Sequence, residues 1–445
     1  MSDKQNRRSL GALSGTASRR DFLRRSALAG AAAAAGLSVA RGAHAAGSDV
    51  LRVALVGAGG RGTGAALDIL STKANVKLVA VADAFADRAA AAVRNLAARQ
   101  KDRVDVPAER QFAGLDGYQK AIECGVDLVL LCSPPGFRPA HFEAAVAAGK
   151  HVFMEKPVAT DSPGVRRILA ANRAGKEKKL AVAVGHHLRH ETKHQEVVKR
   201  IHDGLIGEVK FLRVYFNTSG IWVRPRRPDQ SEMQYQVYNW YHFVWLSGDH
   251  IVEQHVHDID VGNWIQRAHP VRANGLGGRQ VRFQPGIGEI FDHHAVEFEY
   301  ANGARMFSYC RQIPNCWDSF SQHAHGTKGY ASIDGHGSSE LCVDGREPMK
   351  WKRTADGHQV EMVDLVAALQ AGAAYNEADS AADSTMTAIL GRMATYSGQM
   401  VEWETALAST LDLSPAGCTW DAKPKSKAAA DGVYPCATPG ISKAW

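Results

Sequence analysis

From Leu51 onward the chain alternates short apolar runs with stretches of helical spacing. Residues 51–56 read as a strand, 63–70 as a helix, 77–82 as a second strand and the alanine-rich 84–98 as a second helix. Residues 126–132 (VDLVLLC) form a continuous apolar run, as a strand buried on both faces would. Residues 139–148, 151–154 and 164–173 continue the series as helix, strand and helix. Strands that alternate with helices predict an α/β domain built on a doubly wound parallel sheet.

Beyond about residue 185 the pattern changes. Residues 209–217 alternate like a strand with one exposed face, and 219–238, rich in Arg, Pro and Gln, read as a long loop. Residues 251–265 have helical spacing. The runs 293–300 and 304–310 are joined by Asn302-Gly303, which predicts a hairpin. Residues 360–369 and 384–400 read as helices, and 411–445 carry too little periodicity for either. The expected organisation is a leader (1–45), a first domain (50–185), a more antiparallel α+β domain (186–405) and an extended C-terminal arm (406–445).

Composition and charge refine this picture. A length of 445 residues favours two domains, and 45% hydrophobic with 22% charged residues is ordinary for a globular protein. The formal charge of +7 would suggest nucleic acid, but its location removes the hint. Residues 1–45 hold eight Lys/Arg and two acids, leaving 45 basic and 44 acidic residues in the remainder. No nucleic-acid partner is therefore expected.

That leader carries Ser18-Arg19-Arg20-Asp21-Phe22-Leu23-Arg24, a twin-arginine pattern, then an alanine-rich run and the small-x-small site Ala43-His44-Ala45. The run is short and weakly apolar for a membrane span. A cleaved twin-arginine signal is the expectation, with the twin-arginine machinery as partner and a periplasmic or secreted product that is not membrane-inserted once cleaved. A short anchor, a basic tail or an uncleaved signal are the alternatives. That route carries folded proteins, often with a cofactor bound. The seven cysteines show no paired CxxC metal spacing. Cys124 and Cys132 read as core, while Cys310/Cys316 and Cys418/Cys436 are open disulfide candidates for an oxidising compartment.

Gly57-Ala58-Gly59-Gly60-Arg61-Gly62 fits G-x-G-x-x-G, directly after a strand and at the start of a helix. Gly57 permits the tight turn, Gly59 lets backbone approach a pyrophosphate, and Gly62 allows helix and strand to pack closely. Gly60 and Arg61 lie on the same phosphate-facing turn, and the helix N-terminus offers free N–H groups and a positive dipole. Asp83 closes the second strand, where a carboxylate accepts the adenosine ribose hydroxyls and repels a 2′-phosphate. NAD is therefore expected over NADP. Arg61 could soften that exclusion, and Asp83 could equally cap the following helix.

Ser133-Pro134-Pro135, His141 and Gly149-Lys150-His151-Val152-Phe153-Met154-Glu155-Lys156-Pro157 resemble the Gfo/Idh/MocA oxidoreductases, whose pattern is a (S/T)PP turn, a helix bearing His and a strand ending in EKP. The resemblance covers roughly residues 50–405. It implies a Rossmann-type first domain, a second domain with an open mixed, largely antiparallel sheet, helices near 360–400 that return to the first domain, and a homo-oligomer (dimer or tetramer). It also implies oxidation or reduction of a secondary alcohol on a carbohydrate-like small molecule. Ser133, Pro134, His141, Glu155 and Lys156 become cofactor-site candidates, as does His187 in the loop Gly185–His190. Lys156 would sit between nicotinamide and substrate as the main catalytic residue, with a depressed pKa.

The family's second element, GGxxxDxGxH, corresponds here to Gly248-Asp249-His250-Ile251-Val252-Glu253-Gln254-His255-Val256-His257. Glu253 falls at the Asp position and His257 at the His position, four residues apart and so on one helical face. His257 would be a general base, and Glu253 would orient it or touch sugar hydroxyls. Glu replaces Asp and His255 replaces Gly, which departs from the common pattern. A surface polar network is the plain alternative. His250, His255 and His257 do not have HExxH spacing, so no metal is expected. Tyr241 and Trp222 are candidates to stack on a sugar ring, and Arg224, Arg226 and Arg227 to pair across a subunit interface. The expected activity is an exported oxidoreductase with tightly bound NAD. The alternative is an NAD-dependent glycosidase working by transient C3 oxidation, elimination and re-reduction.

Overall fold

The computed structural model describes residues 50–352 and 355–445. The twin-arginine leader lies outside the described residues. Six parallel strands, β1 (Leu51–Val56), β2 (Val76–Asp83), β3 (Gln111–Ala113), β4 (Leu128–Leu131), β5 (His151–Met154) and β6 (Val182–Val184), form one sheet in the order 3-2-1-4-5-6. The order reverses between β1 and β4, and the crevice at that switch point is where such sheets bind ligands. Every residue of β4 is fully buried, which is why its sequence is apolar without alternation. The helices α1 (Gly60–Leu70) and α2 (Ala86–Arg99) cover one face, while α3 (Gly117–Glu123), α4 (Arg138–Ala147) and α5 (Ser162–Glu177) cover the other.

After α6 (Thr192–His202) the chain builds a nine-stranded sheet in the order β14-β13-β12-β11-β7-β10-β9-β8-β15. It begins with β7 (Val209–Thr218) and continues with β8 (Arg272–Gly278), β9 (His293–Glu299) and β10 (Arg305–Gln312). The strands β11 (Ser319–Gly326), β12 (Gly329–Asp334), β13 (Ser339–Val343) and β14 (Met349–Trp351) extend it on one side, and β15 (Val401–Glu402) closes the other. Among the described residues only β7 and β10 pair in parallel in this sheet, so it is mixed and mostly antiparallel. The Asn302-Gly303 hairpin forms as expected between β9 and β10, with Gly303 at φ +81°.

Two segments differ from their sequence reading. The loop over 219–238 ends in a helix, α7 (Glu232–Tyr238), started by a reciprocal cap between Ser231 and Gln234. The single helix expected over 251–265 is broken: after α8 (Val244–Ser247), α9 (His250–Glu253) stops and α10 (Val256–Gln266) begins. Asp249, at φ +75°, accepts from the His250 N–H and starts that short first turn.

Two long helices tie the sheets together. The helix α11 (Gly357–Ala371) returns to the parallel sheet, burying Met362 and Leu365 beside Ala65 and Ile69 of α1. The helix α12 (Ala378–Ser397) is buried along most of its length between the two sheets, which accounts for its weak amphipathic pattern. Past α13 (Trp403–Ala408) the arm runs without helix or strand. All seven cysteines are free thiols. Among the described residues no helix is long and apolar enough to cross a membrane.

Candidate active site

The glycine turn is shaped by what side chains would strike. Gly57 has φ +94°, and a Cβ there would lie 2.3 Å from the Ser133 N; one on Gly62 would lie 1.9 Å from the Gly57 O. Gly59 and Gly60 are different: a Cβ on either meets nothing within 4 Å. Open space above a helix N-terminus that has no side-chain cap is what a pyrophosphate requires. The residues present therefore fit a dinucleotide.

Asp83 holds this turn together as well as facing the cleft. Its Oδ2 accepts from the Ala58 N–H at 2.7 Å and its Oδ1 from the Phe85 N–H at 2.9 Å. Each oxygen keeps a lone pair for a ribose hydroxyl. Arg61 does not reach towards that ribose carboxylate. Its charge is committed to Asp68 at 2.7 Å and Glu155 at 3.2 Å, so it gives a 2′-phosphate no help. Ser133 and Pro134 line the cleft with His141, whose Nδ1 lies 3.0 Å from the Ser133 Oγ. Burial, and then Arg138, pushes the His141 pKa down to about 3, so this ring is neutral.

The EKP strand end meets the broken helix. Lys156 donates to the Glu253 carbonyl at 2.7 Å and to its Oε1 at 3.2 Å. This charged pair is almost enclosed, and the second carboxylate oxygen has no partner. The His257 ring stands 4.7 Å from His187, and His187 stacks on His358 at 4.1 Å. Burial first, and then the neighbouring Lys156, holds His257 well below its ordinary pKa. Burial and His358 do the same for His187. Lys156, Glu253, His257 and His187 are thus brought together despite the helix break.

Tyr241 is placed otherwise. It is fully buried, with its hydroxyl accepting from Gln312 at 2.5 Å, so it stacks on no open sugar site. Burial raises its pKa well above the phenol value. Trp222 is covered by the Arg224 guanidinium at 3.6 Å, and Arg226 pairs with Glu232 inside the same chain. Within the chain, Arg224 also donates to the Tyr238 carbonyl and Arg227 to the Tyr238 hydroxyl.

His358 escaped the sequence reading. It opens α11, where Asp356 accepts from its N–H, and burial and Arg61 push its pKa down to about 4. The pair Asp356-Gly357 was a legible helix start. The histidines of the second motif point to different partners: His255 bonds Asp258 and Ser308, and His257 lies beside the EKP lysine. Among the described residues one trio, Asp249, His250 and His294, has metal-type donors within 4.8 Å of one another. Its carboxylate already accepts from Phe291, Tyr396 and His250.

Comparison with known proteins agrees with this geometry. Residues 51–186 match the Gfo/Idh/MocA oxidoreductase family, NAD-binding Rossmann fold. The inositol 2-dehydrogenase of Rhizobium meliloti (strain 1021) is 26% identical over 336 residues, covering 73% of this chain and 90% of that protein. A dTDP-3,4-didehydro-2,6-dideoxy-alpha-D-glucose 3-reductase of Actinomadura kijaniata is 31% identical over 147 residues, 32% of this chain and 41% of its own. Levoglucosan dehydrogenase, solved with NADH and levoglucosan, superposes with a TM-score of 0.63 at 17% identity, over 80% of this chain and 99% of that one.

Proposed function

We propose, from the match of residues 51–186 to the Gfo/Idh/MocA oxidoreductase family with its NAD-binding Rossmann fold, that the chain moves hydride between tightly held NAD and a secondary alcohol of a sugar, cyclitol or glycoside. The observation that carries the reading is Lys156, fixed by both the carbonyl and the carboxylate of Glu253, beside two imidazoles that burial keeps neutral. When bound, NAD supplies the acceptor or donor of hydride.

The chain's own residues handle the proton. Lys156 Nζ is a charged donor held in a nearly dry site, suited to bind the oxygen of a substrate alcohol or ketone. As the C–H hydrogen leaves as hydride, the hydroxyl proton must go to a base. A neutral His257 can accept it, with His187 and His358 stacked behind. The unpartnered Oε2 of Glu253 is free to accept from a second hydroxyl. Relatives named for inositol and sugar oxidoreduction support this substrate class.

We also propose that the protein is exported by its twin-arginine leader and works as a homo-oligomer. Tyr309 and Trp317 stand exposed on the side of the nine-stranded sheet that faces away from the helices, and suit contact between copies.

Mass spectrometry of the purified protein should find co-purifying NAD, and a panel of cyclitols, sugars and aryl glycosides should then be read for NADH and for released aglycone. A stoichiometric ketone with NADH supports the dehydrogenase. Aglycone without net NADH supports the glycosidase. Absence of both NAD and turnover overturns the proposal.

A further inference from the structure

The cleft beside the switch point is bounded by Gly57, Asp83, Phe85, Leu115 and Ser133, from strand ends and loops of the parallel sheet, and also by Val237. Val237 lies on α7, in the long excursion between β7 and β8. A residue from outside the nucleotide-binding sheet therefore forms a wall of the adenosine end. We propose that α7 and the C-terminal arm cap the adenosine half of the dinucleotide, closing NAD in so that it stays bound through many turnovers. This rests on the NAD-binding reading above and adds to it the residues that retain the cofactor.

The cap is joined to the ribose-binding turn itself. Phe85 follows Asp83 by two residues, and its N–H is held by that carboxylate at 2.9 Å. The Phe85 ring meets Tyr238 of α7 edge-on at 5.7 Å and Trp420 of the arm at 5.6 Å. The Arg88 guanidinium covers both Phe85, at 4.9 Å, and Tyr238, at 5.1 Å. One aromatic group thus fastens three separate parts of the chain over the same cleft. Behind it Met233, Tyr235, Val237, Phe243, Trp245 and Tyr434 form a buried apolar cluster.

The arm is pinned at several points, so it is a fixed part of the wall. Its Leu413 N–H donates to Asp161 at 2.9 Å, and Ser231 donates to the Trp420 carbonyl at 3.3 Å. Gln236 of α7 donates to the Ser426 carbonyl at 2.9 Å, and Tyr434 donates to Glu232 of α7 at 2.5 Å. The Gly440 N–H reaches the Ser397 carbonyl at 2.7 Å. On this proposal the adenosine end leaves when α7 moves, which breaks its contacts with Trp420, Ser426 and Tyr434 and opens the cluster.

The test is exchange of bound cofactor against excess isotopically labelled NAD, followed by mass spectrometry of the protein-bound fraction. Wild-type protein should exchange more slowly than it turns over. Trp420→Ala and Tyr238→Ala, neither of which lies near Lys156, should speed exchange at least tenfold while circular dichroism and Tm confirm folding. Val237→Ala, a milder opening of the wall, should give a smaller rise in the same direction. Wild-type exchange as fast as turnover, or folded variants that exchange at the wild-type rate, overturns the cap and leaves the oxidoreductase reading intact. Failure of the wild type to bind NAD at all overturns both.

Discussion

At the scale of single residues, the site depends on Lys156 having one carboxylate partner and two neutral imidazole neighbours. Lys156→Ala should lower turnover by about 10²- to 10⁴-fold, the usual worth of a positioned proton-transfer group. The NAD content, read by mass spectrometry, should stay unchanged, because the glycine turn and Asp83 are untouched. Turnover within twofold of wild type would remove Lys156 from the chemistry. A second expectation concerns pH. His257 is held well below 6.5 by burial and by Lys156, so it is already an unprotonated base at neutral pH. The acid limb of kcat/KM for alcohol oxidation should therefore lie well below the ordinary imidazole value of 6.5. A midpoint near 6.5 that disappears in His257→Gln would mean that the ring is solvated.

At the scale of elements, the glycine turn separates packing from binding. Gly62→Ala puts a methyl 1.9 Å from the Gly57 carbonyl, so α1 must shift from the sheet. It should cost about 1–3 kcal/mol of stability and lower Tm. Gly59→Ala meets no protein atom within 4 Å, and φ −73° suits alanine. That variant should keep its Tm yet lose most of its NAD, because the free space is the cofactor's. Equal loss of Tm in both variants would show that Gly59 serves packing. This turn was readable in sequence because the pattern and its physical cause coincide: strand, glycines, helix and terminal Asp83. The break between α9 and α10 was not, since 251–265 keep helical spacing while Asp249 adopts a left-handed φ that no periodicity reveals. The strands β8 and β11 were also hidden. One carries three glycines, and the other is rich in Ser, Gln and His, with Ser319, Ser321 and His323 hydrogen-bonded to one another along the strand. Lys156, Glu253 and His257 were found by motif, whereas Val237 and His358 needed the tertiary structure to reach the site.

At the scale of the whole molecule, the many buried imidazoles couple stability to pH. Burial pushes His141 to about 3 and His242, His323 and His358 to about 4, while His187, His250 and His257 lie well below 6.5. Each is a base depressed in the folded state. Between its folded value and the unfolded 6.5, the unfolded chain binds the extra proton, so stability is full above pH 6.5 and is lost as pH falls. Opposing them are buried carboxyls whose pKa burial raises, Glu361 well above the ordinary value and Asp258 and Glu289 also upward. The imidazoles outnumber them, so on balance stability falls as the pH drops below 6.5. Chemical denaturation at fixed NAD loading, repeated from pH 7.5 to 4.5, should show ΔG falling as the pH drops below 6.5. A flat ΔG down to pH 5 would mean that the imidazoles are solvated and protonated in the folded protein. The neutral base assigned to His257 would then be lost with them, which joins the acid stability of the whole chain to the chemistry at Lys156.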